Sequence, residues 1–362
     1  MGKELSIYFH WPFCKSKCPY CDFFSQVKRD TNQDEIINGY IEQLNKYKEM
    51  LPDKNIASVF FGGGTPSLIT PQNISRLIDK ISDLWTVSSN CEISLEANPN
   101  TQTPTLFQDL KNAGINRLSL GVQSFDDNYL KFLGRTHSPK QAVSSIEEVI
   151  KNFDNHSIDL MYALPDQSKQ NWLTQLALAS KFGLKHISLY QLMIEENTVF
   201  YKKGIKPLDE EKANELYILT EDYLKSKNYH KYEVSNYSLP DFQSVHNKAY
   251  WLGKDYIGIG KSAHGRLKIN NKHYALTDPI NMEELSNQER AEELIIMNLR
   301  LTEGINKQNF YNICGINIDE FVNQDFVNEA VTDGLLINDE AFLKATSKGF
   351  VLLDYLILGL CS

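Results

Sequence analysis

Long apolar runs are absent from this sequence: nowhere in its 362 residues do eighteen apolar residues follow one another, which excludes an ordinary membrane-spanning helix. The first ten residues, MGKELSIYFH, lack the apolar stretch and the cleavage site of a secretory signal. A cytoplasmic protein without a membrane anchor is therefore expected. Basic residues are scarce in the last quarter, where residues 281–362 hold five Lys plus Arg against fourteen Asp plus Glu. The first 280 residues are balanced at 32 of each sign, so the whole net charge of −9 lies in that quarter. Such a shift marks a domain boundary near residue 280, and it argues against nucleic-acid binding, because phosphates are gripped by Lys and Arg. Cysteine is sparse too. Six are present, but Cys14, Cys18 and Cys21 fall within eight positions, while Cys91, Cys314 and Cys361 stand alone. Where thiols are kept reduced, such a cluster points to metal binding or catalysis rather than to a disulfide framework.

With 42% hydrophobic residues the chain can bury a large core. Short β-rich runs at residues 6–10, 58–61, 92–97, 117–122, 157–164 and 186–192 alternate with stretches such as DEIINGYIEQLNKY, PQNISRLIDKISDLW, TPTLFQDLKNAG and NWLTQLALASKFG. The apolar residues of these stretches recur at helical spacing. Six β-then-α units in succession predict an α/β fold over residues 1–235, its parallel sheet curled into a partial (β/α)6 TIM-like barrel. Sites in such sheets lie at the C-terminal ends of the strands. Every unusual motif of the chain falls at such an end or next to it. Residues 236–280 read as a connecting segment rich in aromatics and glycine, containing HNKAYW. Residues 281–362 read as a mostly helical, winged-helix-like unit with two or three helical segments, a turn at VTDGLLIND and a last helix GFVLLDYLILGL.

In FCKSKCPYCDFFS the C-x3-C-x2-C spacing lets three thiolates point inward from one loop, which Pro19 stiffens. Zinc is one candidate, since Cys3His sites exist and His10 stands four residues before Cys14. Zinc loops usually come as two separated C-x2-C halves, however, and no second half follows. A 4Fe-4S cluster with three protein ligands and one open iron fits better, the open corner being free to chelate a small molecule. FFGGGTPS places three glycines directly after an apolar strand, so backbone amides and carbonyls can approach a ligand closely. No Gly-Lys-Ser/Thr follows, so it is not a nucleotide P-loop. Glu96, Gln123, Arg135 and Asp159 stand at or just beyond strand ends. Either carboxylate could accept from ribose hydroxyls or an amine, and Arg135 could pair with a carboxylate through both arms of its fork. Each alone also reads as a capping or salt-bridging residue.

The C-x3-C-x2-C spacing is the signature of the radical S-adenosylmethionine superfamily. The motifs Y-x-H-x-P-F-C, CPYCDF, FGGGTPS, LEANP, LSLGVQSF, GRTHS, DLMYALP, LYQL and LRLTEGI resemble, over nearly the whole chain, the branch holding the oxygen-independent coproporphyrinogen III dehydrogenases and the HemW-type heme chaperones. The resemblance implies a radical SAM core barrel in which Cys14, Cys18 and Cys21 bind the cluster. It further implies that Tyr8, Gly63, Gly64, Thr65, Glu96, Gln123, Arg135 and Asp159 contact S-adenosyl-L-methionine, with Tyr20 and Met193 at further contact positions. The dehydrogenases carry a further cysteine where this chain has Phe23, and an N-terminal extension where only thirteen residues precede Cys14. Both departures point to the chaperone branch. HNKAYW matches that branch's H-N-x-x-Y-W motif, associated with heme binding. His246 would offer an imidazole to iron, while Tyr250 and Trp251 would offer faces to the porphyrin. The resemblance thus implies a heme carrier that serves membrane-bound respiratory acceptors and forms a homodimer.

Overall fold

The computed structural model describes residues 3–28, 31–99, 105–277 and 281–361. The six predicted runs become β1 (Glu4–Trp11), β2 (Asn55–Gly63), β3 (Thr86–Ala97), β4 (Arg117–Gln123), β5 (Asn155–Tyr162) and β6 (His186–Gln191). They hydrogen-bond in that order, each parallel to the next. The connections carry α1 (Gln33–Met50), α2 (Pro71–Leu84), α3 (Leu106–Asn112), α4 (Asp127–Phe132), α5 (Pro139–Asn152) and α6 (Lys169–Lys181). The sequence marks their starts. Thr70 and Ser168 cap α2 and α6 with their hydroxyls, and Ser138 forms a reciprocal capping box with Gln141 at α5. Gly114 and Gly183, past the ends of α3 and α6, take the positive φ that terminates a helix.

Alternation along each strand separates two environments. One face carries Leu5, Ile7 and Phe9 of β1, Val59 and Phe61 of β2, Leu118 and Leu120 of β4, and Ile158 and Leu160 of β5. These join Ile37 and Leu44 of α1 and Ile74 and Leu77 of α2 in one continuous core. Phe60 apart, the opposite face carries polar groups: Ser6 and Tyr8, Ser58, Glu92, Ser94 and Glu96, Arg117 and Ser119, Ser157 and Asp159, His186 and Ser188. The barrel is thus apolar where helices cover it and polar within.

Beyond residue 235, where the sequence suggests a connection, the sheet goes on. β7 (Asn236–Ser238) pairs antiparallel with β6, and β8 (Tyr256–Ile259) pairs parallel with β1. β9 (His264–Ile269), β10 (Lys272–Thr277) and β11 (Met282–Leu285) then add antiparallel strands, and with the two-residue strand His230–Lys231, which pairs antiparallel with β7, the sheet numbers twelve among the described residues. Asn270 and Asn271, both at positive φ, form the tight turn between β9 and β10. The boundary expected near residue 280 falls partly on residues 278–280, outside the described residues. Further helices are α7 (Val199–Lys202), α8 (Glu210–Ser226), α9 (Val245–Trp251) and α10 (Asn287–Asn298).

The C-terminal part has its own core, built on Leu294, Phe310, Val327, Leu343 and Leu356, beside a three-stranded sheet. It is mostly helical, as expected, but in shorter pieces. Asn306, Asn317 and Asn323 each cap a new helix with their side-chain carbonyl, breaking what periodicity alone reads as longer segments. Among the described residues no helix is long and apolar enough to cross a membrane.

Candidate functional site

β1 delivers the chain to the cysteine loop. Phe13 and Cys14 pair in parallel with Gln26 and Val27, closing the loop at its base, and Cys21 N–H donates to the Cys18 carbonyl at 3.1 Å. His10 ties down the far side. Its Nε2 lies 2.9 Å from the Phe24 carbonyl and its Nδ1 lies 3.1 Å from the Tyr8 hydroxyl. A carbonyl only accepts, so Nε2 carries the proton and Tyr8 donates to Nδ1. With both nitrogens engaged, His10 is a strut for the loop, and the Cys3His zinc reading loses its fourth ligand. Among the described residues no three or more His, Cys, Asp or Glu side chains are arranged to hold a single metal ion.

The glycine turn lies against this loop. Gly64 N–H donates to the Trp11 carbonyl at 2.6 Å, and Thr65 N–H donates to the Phe13 carbonyl at 2.9 Å. The approach leaves no room for a side chain, since a Cβ on Gly64 would stand 2.7 Å from the Phe13 carbonyl oxygen. Gly63 takes a φ of +105°, which only glycine adopts readily.

Between loop, turn and strand ends lies a cavity of about 310 Å³. Cys14, Cys18, Cys21, Tyr20, Gly63, Gly64, Thr65, Glu96, Gln123, Arg135 and Asp159 all line it. Phe23 lines it as well, 60% exposed at the mouth. Gln123 sits at a register shift between β4 and β5 with φ of 68°, a conformation costly for a residue with a Cβ and often tolerated where a ligand is bound.

Burial, with the Asp159 carboxylate beside it, pushes Glu96 up to about 8, partly opposed by the Gly63 N–H. Asp159 is also raised by burial, against the pull of the Ser119 hydroxyl, which donates to it at 2.9 Å. Burial raises the Cys21 thiol. The fork of Arg135 donates to Asn98 Oδ1, to the Gly121 carbonyl at 2.8 Å and to Cys18 Sγ at 3.5 Å. It therefore links the cysteine loop to β4, and a ligand carboxylate would compete for these donors.

Three predicted cofactor contacts, Tyr8, Met193 and His246, lie outside the cavity lining, as do Tyr250 and Trp251. Tyr8 stands behind Gly62, its hydroxyl committed to His10. Met193 follows β6 and is 64% exposed. His246 is 1% exposed on α9, inside the polar barrel. Its Nδ1 is 2.8 Å from Ser58 Oγ and its Nε2 is 2.5 Å from the Tyr250 hydroxyl, while its ring stacks on Phe60 at 5.0 Å. Since Ser58 donates onward to Ser6, the His246 Nδ1–H donates to Ser58 and Nε2 accepts from Tyr250. Burial lowers its pKa to about 3.

Sequence reasoning passed over three contributors. Asn98, in LEANP, donates to Thr65 Oγ1 at 3.3 Å and accepts from Arg135. Tyr190 lines the cavity from the inward stripe that also holds His186 and Ser188. Glu92, two strand periods before Glu96, accepts from Ser244 Oγ and from the N–H groups of Val245 and His246, with Arg117 Nε 3.8 Å away. The signal for Tyr190 and Glu92 was the polar half of the strand alternation.

A parallel barrel with a three-thiol loop, a glycine turn and inward carboxylates at its strand ends defines a radical S-adenosylmethionine protein. The Radical SAM superfamily pattern matches residues 8–178, and the HemN C-terminal domain pattern matches residues 285–352. The chain is 37% identical to the heme chaperone HemW of Buchnera aphidicola subsp. Acyrthosiphon pisum, across 98% of this chain and 97% of the relative. It is 35% identical to the heme chaperone HemW of Lactococcus lactis subsp. lactis, across 97% and 96%. It belongs to the HemW family of that superfamily. Its fold is that of coproporphyrinogen III oxidase (HemN) from Escherichia coli, with a TM-score of 0.84 at 19% identity, over 100% of this chain and 91% of the other.

Proposed function

We propose that this chain is a heme chaperone that binds heme, a 4Fe-4S cluster and S-adenosyl-L-methionine, and delivers heme to heme-accepting membrane respiratory proteins from the cytoplasm. The observation that carries the reading is the single cavity in which three thiols, the glycine turn and two inward carboxylates meet. The donor set fits the cluster: three soft thiolates, no fourth protein ligand among the described residues, and an adjoining space for a chelating molecule. When bound, such a cluster would supply one electron that cleaves a C–S bond of S-adenosylmethionine, leaving methionine and a 5′-deoxyadenosyl radical. The chain's own residues bind and orient. The amides of the glycine turn present polar backbone, Glu96 and Asp159 accept from hydroxyl or ammonium groups, and Arg135 meets a carboxylate. A cationic ligand beside Glu96 favours its ionised form, so binding releases a proton and tightens as pH rises towards 8.

Phe23 replaces by a bare aromatic ring the thiol that the dehydrogenases place there, consistent with carrying a porphyrin rather than oxidising one. For His246 to ligate iron its Nε2 must leave Tyr250, so heme binding through HNKAYW requires α9 to loosen. The homodimer belongs to the same proposal, as a state that accompanies cluster binding.

The test is an anaerobic spectrum of the reconstituted protein, titrated with heme and then given coproporphyrinogen III with S-adenosylmethionine. Iron–sulfur absorbance, tight heme binding and an untouched porphyrinogen are expected; steady porphyrinogen turnover would overturn the chaperone reading. Cys18→Ser is expected to abolish the cluster's visible absorbance, and an unchanged spectrum would remove Cys18 as a ligand.

A further inference from the structure

The last helix, Leu353–Leu360, reads LDYLILGL and carries one charged residue, Asp354. Leu353, Leu356, Ile357 and Leu360 face the C-terminal core. At 100° per residue they occupy one side, and the other side carries apolar side chains beside Asp354. It presents Tyr355 and Leu358, 52% and 72% exposed, with Val351 and Leu352 just before them at 38% and 45%. Clustered exposed apolar side chains of this kind mark a contact surface.

The helix is held firmly in place. Gly359 lies so close to Phe326 of the neighbouring Gln324–Thr332 helix that a Cβ there would stand 2.2 Å from that ring, and Tyr355 packs edge-on against Phe326 at 5.4 Å. The exposed side is a fixed surface, not a fraying end.

Charge selects the occupant. The two helices carry Asp325, Glu329 and Asp354 and no basic residue, in a segment whose net charge is −9 over residues 281–362. Asp354 meets Arg300 at 3.7 Å but is itself 88% exposed. A second copy would bring the same acidic segment, and an anionic membrane surface would be repelled likewise. A basic partner would be drawn in and oriented. We infer that the exposed side of the last helix docks a protein partner whose contact surface is an apolar patch ringed by Lys and Arg. This inference stands apart from the cluster and heme assignments.

The test uses the full chain and a dye-labelled helical peptide with a leucine stripe flanked by lysines, titrated by fluorescence anisotropy at low and raised salt. Leu358→Glu is expected to weaken binding roughly tenfold or more, with the melting temperature unchanged because the side chain is exposed. Non-specific charge attraction would respond oppositely, since the new carboxylate would tighten it, and tighter or equal binding would overturn the inference. Sedimentation of the wild type and flotation with anionic vesicles complete the set. Self-association or vesicle binding that Leu358→Glu abolishes would reassign the face to a second copy or to lipid, and would likewise overturn the inference.

Discussion

At the scale of single residues, His246 shows what a motif conceals. HNKAYW suggested an imidazole open to iron, and the fold encloses that imidazole between Ser58, Phe60 and Tyr250. His246→Ala removes a partner from the buried Tyr250 hydroxyl and leaves a void, a loss of about 3 kcal/mol. Denaturant titration of the cluster-free protein is expected to show that loss, and heme titration to show weaker binding. Heme affinity equal to wild type would leave His246 a purely structural residue. The cavity residues themselves were legible because unusual types (cysteine triplet, glycine triplet, acids inside apolar runs) stand at strand ends. Asn98 was not, because an asparagine beside a proline reads as a turn former and its links to Thr65 and Arg135 exist only in three dimensions.

At the scale of elements, two joints govern the site. The glycine turn and the cysteine loop share backbone hydrogen bonds, so Gly64→Ala must push them apart against the Phe13 and Trp11 carbonyls, which a Cβ would meet at 2.7 and 2.9 Å. Reconstitution of this variant is expected to give about tenfold less cluster per chain at limiting iron, measured by visible absorbance, with a smaller change in melting temperature. The second joint is Glu92, which receives the N-terminus of α9 deep in the barrel and faces Arg117. Glu92→Ala leaves Arg117 without its counter-charge and α9 without its acceptor, costing about 3–5 kcal/mol. Amide exchange across residues 245–251 is expected to rise more than across β1. The six parallel strands were readable from alternating strand and helix periods, whereas β8 to β11 were not. Their runs are four to six residues long, and the sheet that stabilises them is built from residues far away in the chain.

At the scale of the whole molecule, buried ionisable groups set opposing trends with pH. Burial lowers His246 to about 3 and His137 to about 4, so unfolding exposes imidazoles that protonate below about 6.5; stability from these groups is lost as pH falls from there. Burial raises Glu96 to about 8 and Glu233 to about 7, so the folded state keeps protons that the unfolded chain sheds above about 4.5; stability from these groups is lost as pH rises through 7 and 8. Burial also lowers His10, His156, His186 and His273 and raises Asp159, so among the described residues six imidazoles stand against three carboxyls, and the melting temperature of the ligand-free protein is expected to peak near pH 6.5. Glu96→Gln is expected to flatten the alkaline arm, and an unaltered arm in that variant would show that Glu96 is ionised throughout.

The distance in sequence between the two sides of the barrel also has a consequence for biosynthesis. β1 cannot complete its second edge until β8, through pairs such as Ser6 with Tyr256, and the polar interior waits for His246 to reach Ser58 from 188 residues away. On the ribosome the cysteine loop therefore emerges first and stands exposed beside an unpaired strand while most of the barrel is still to be made, a window in which cluster insertion, chaperone capture and edge-to-edge aggregation compete.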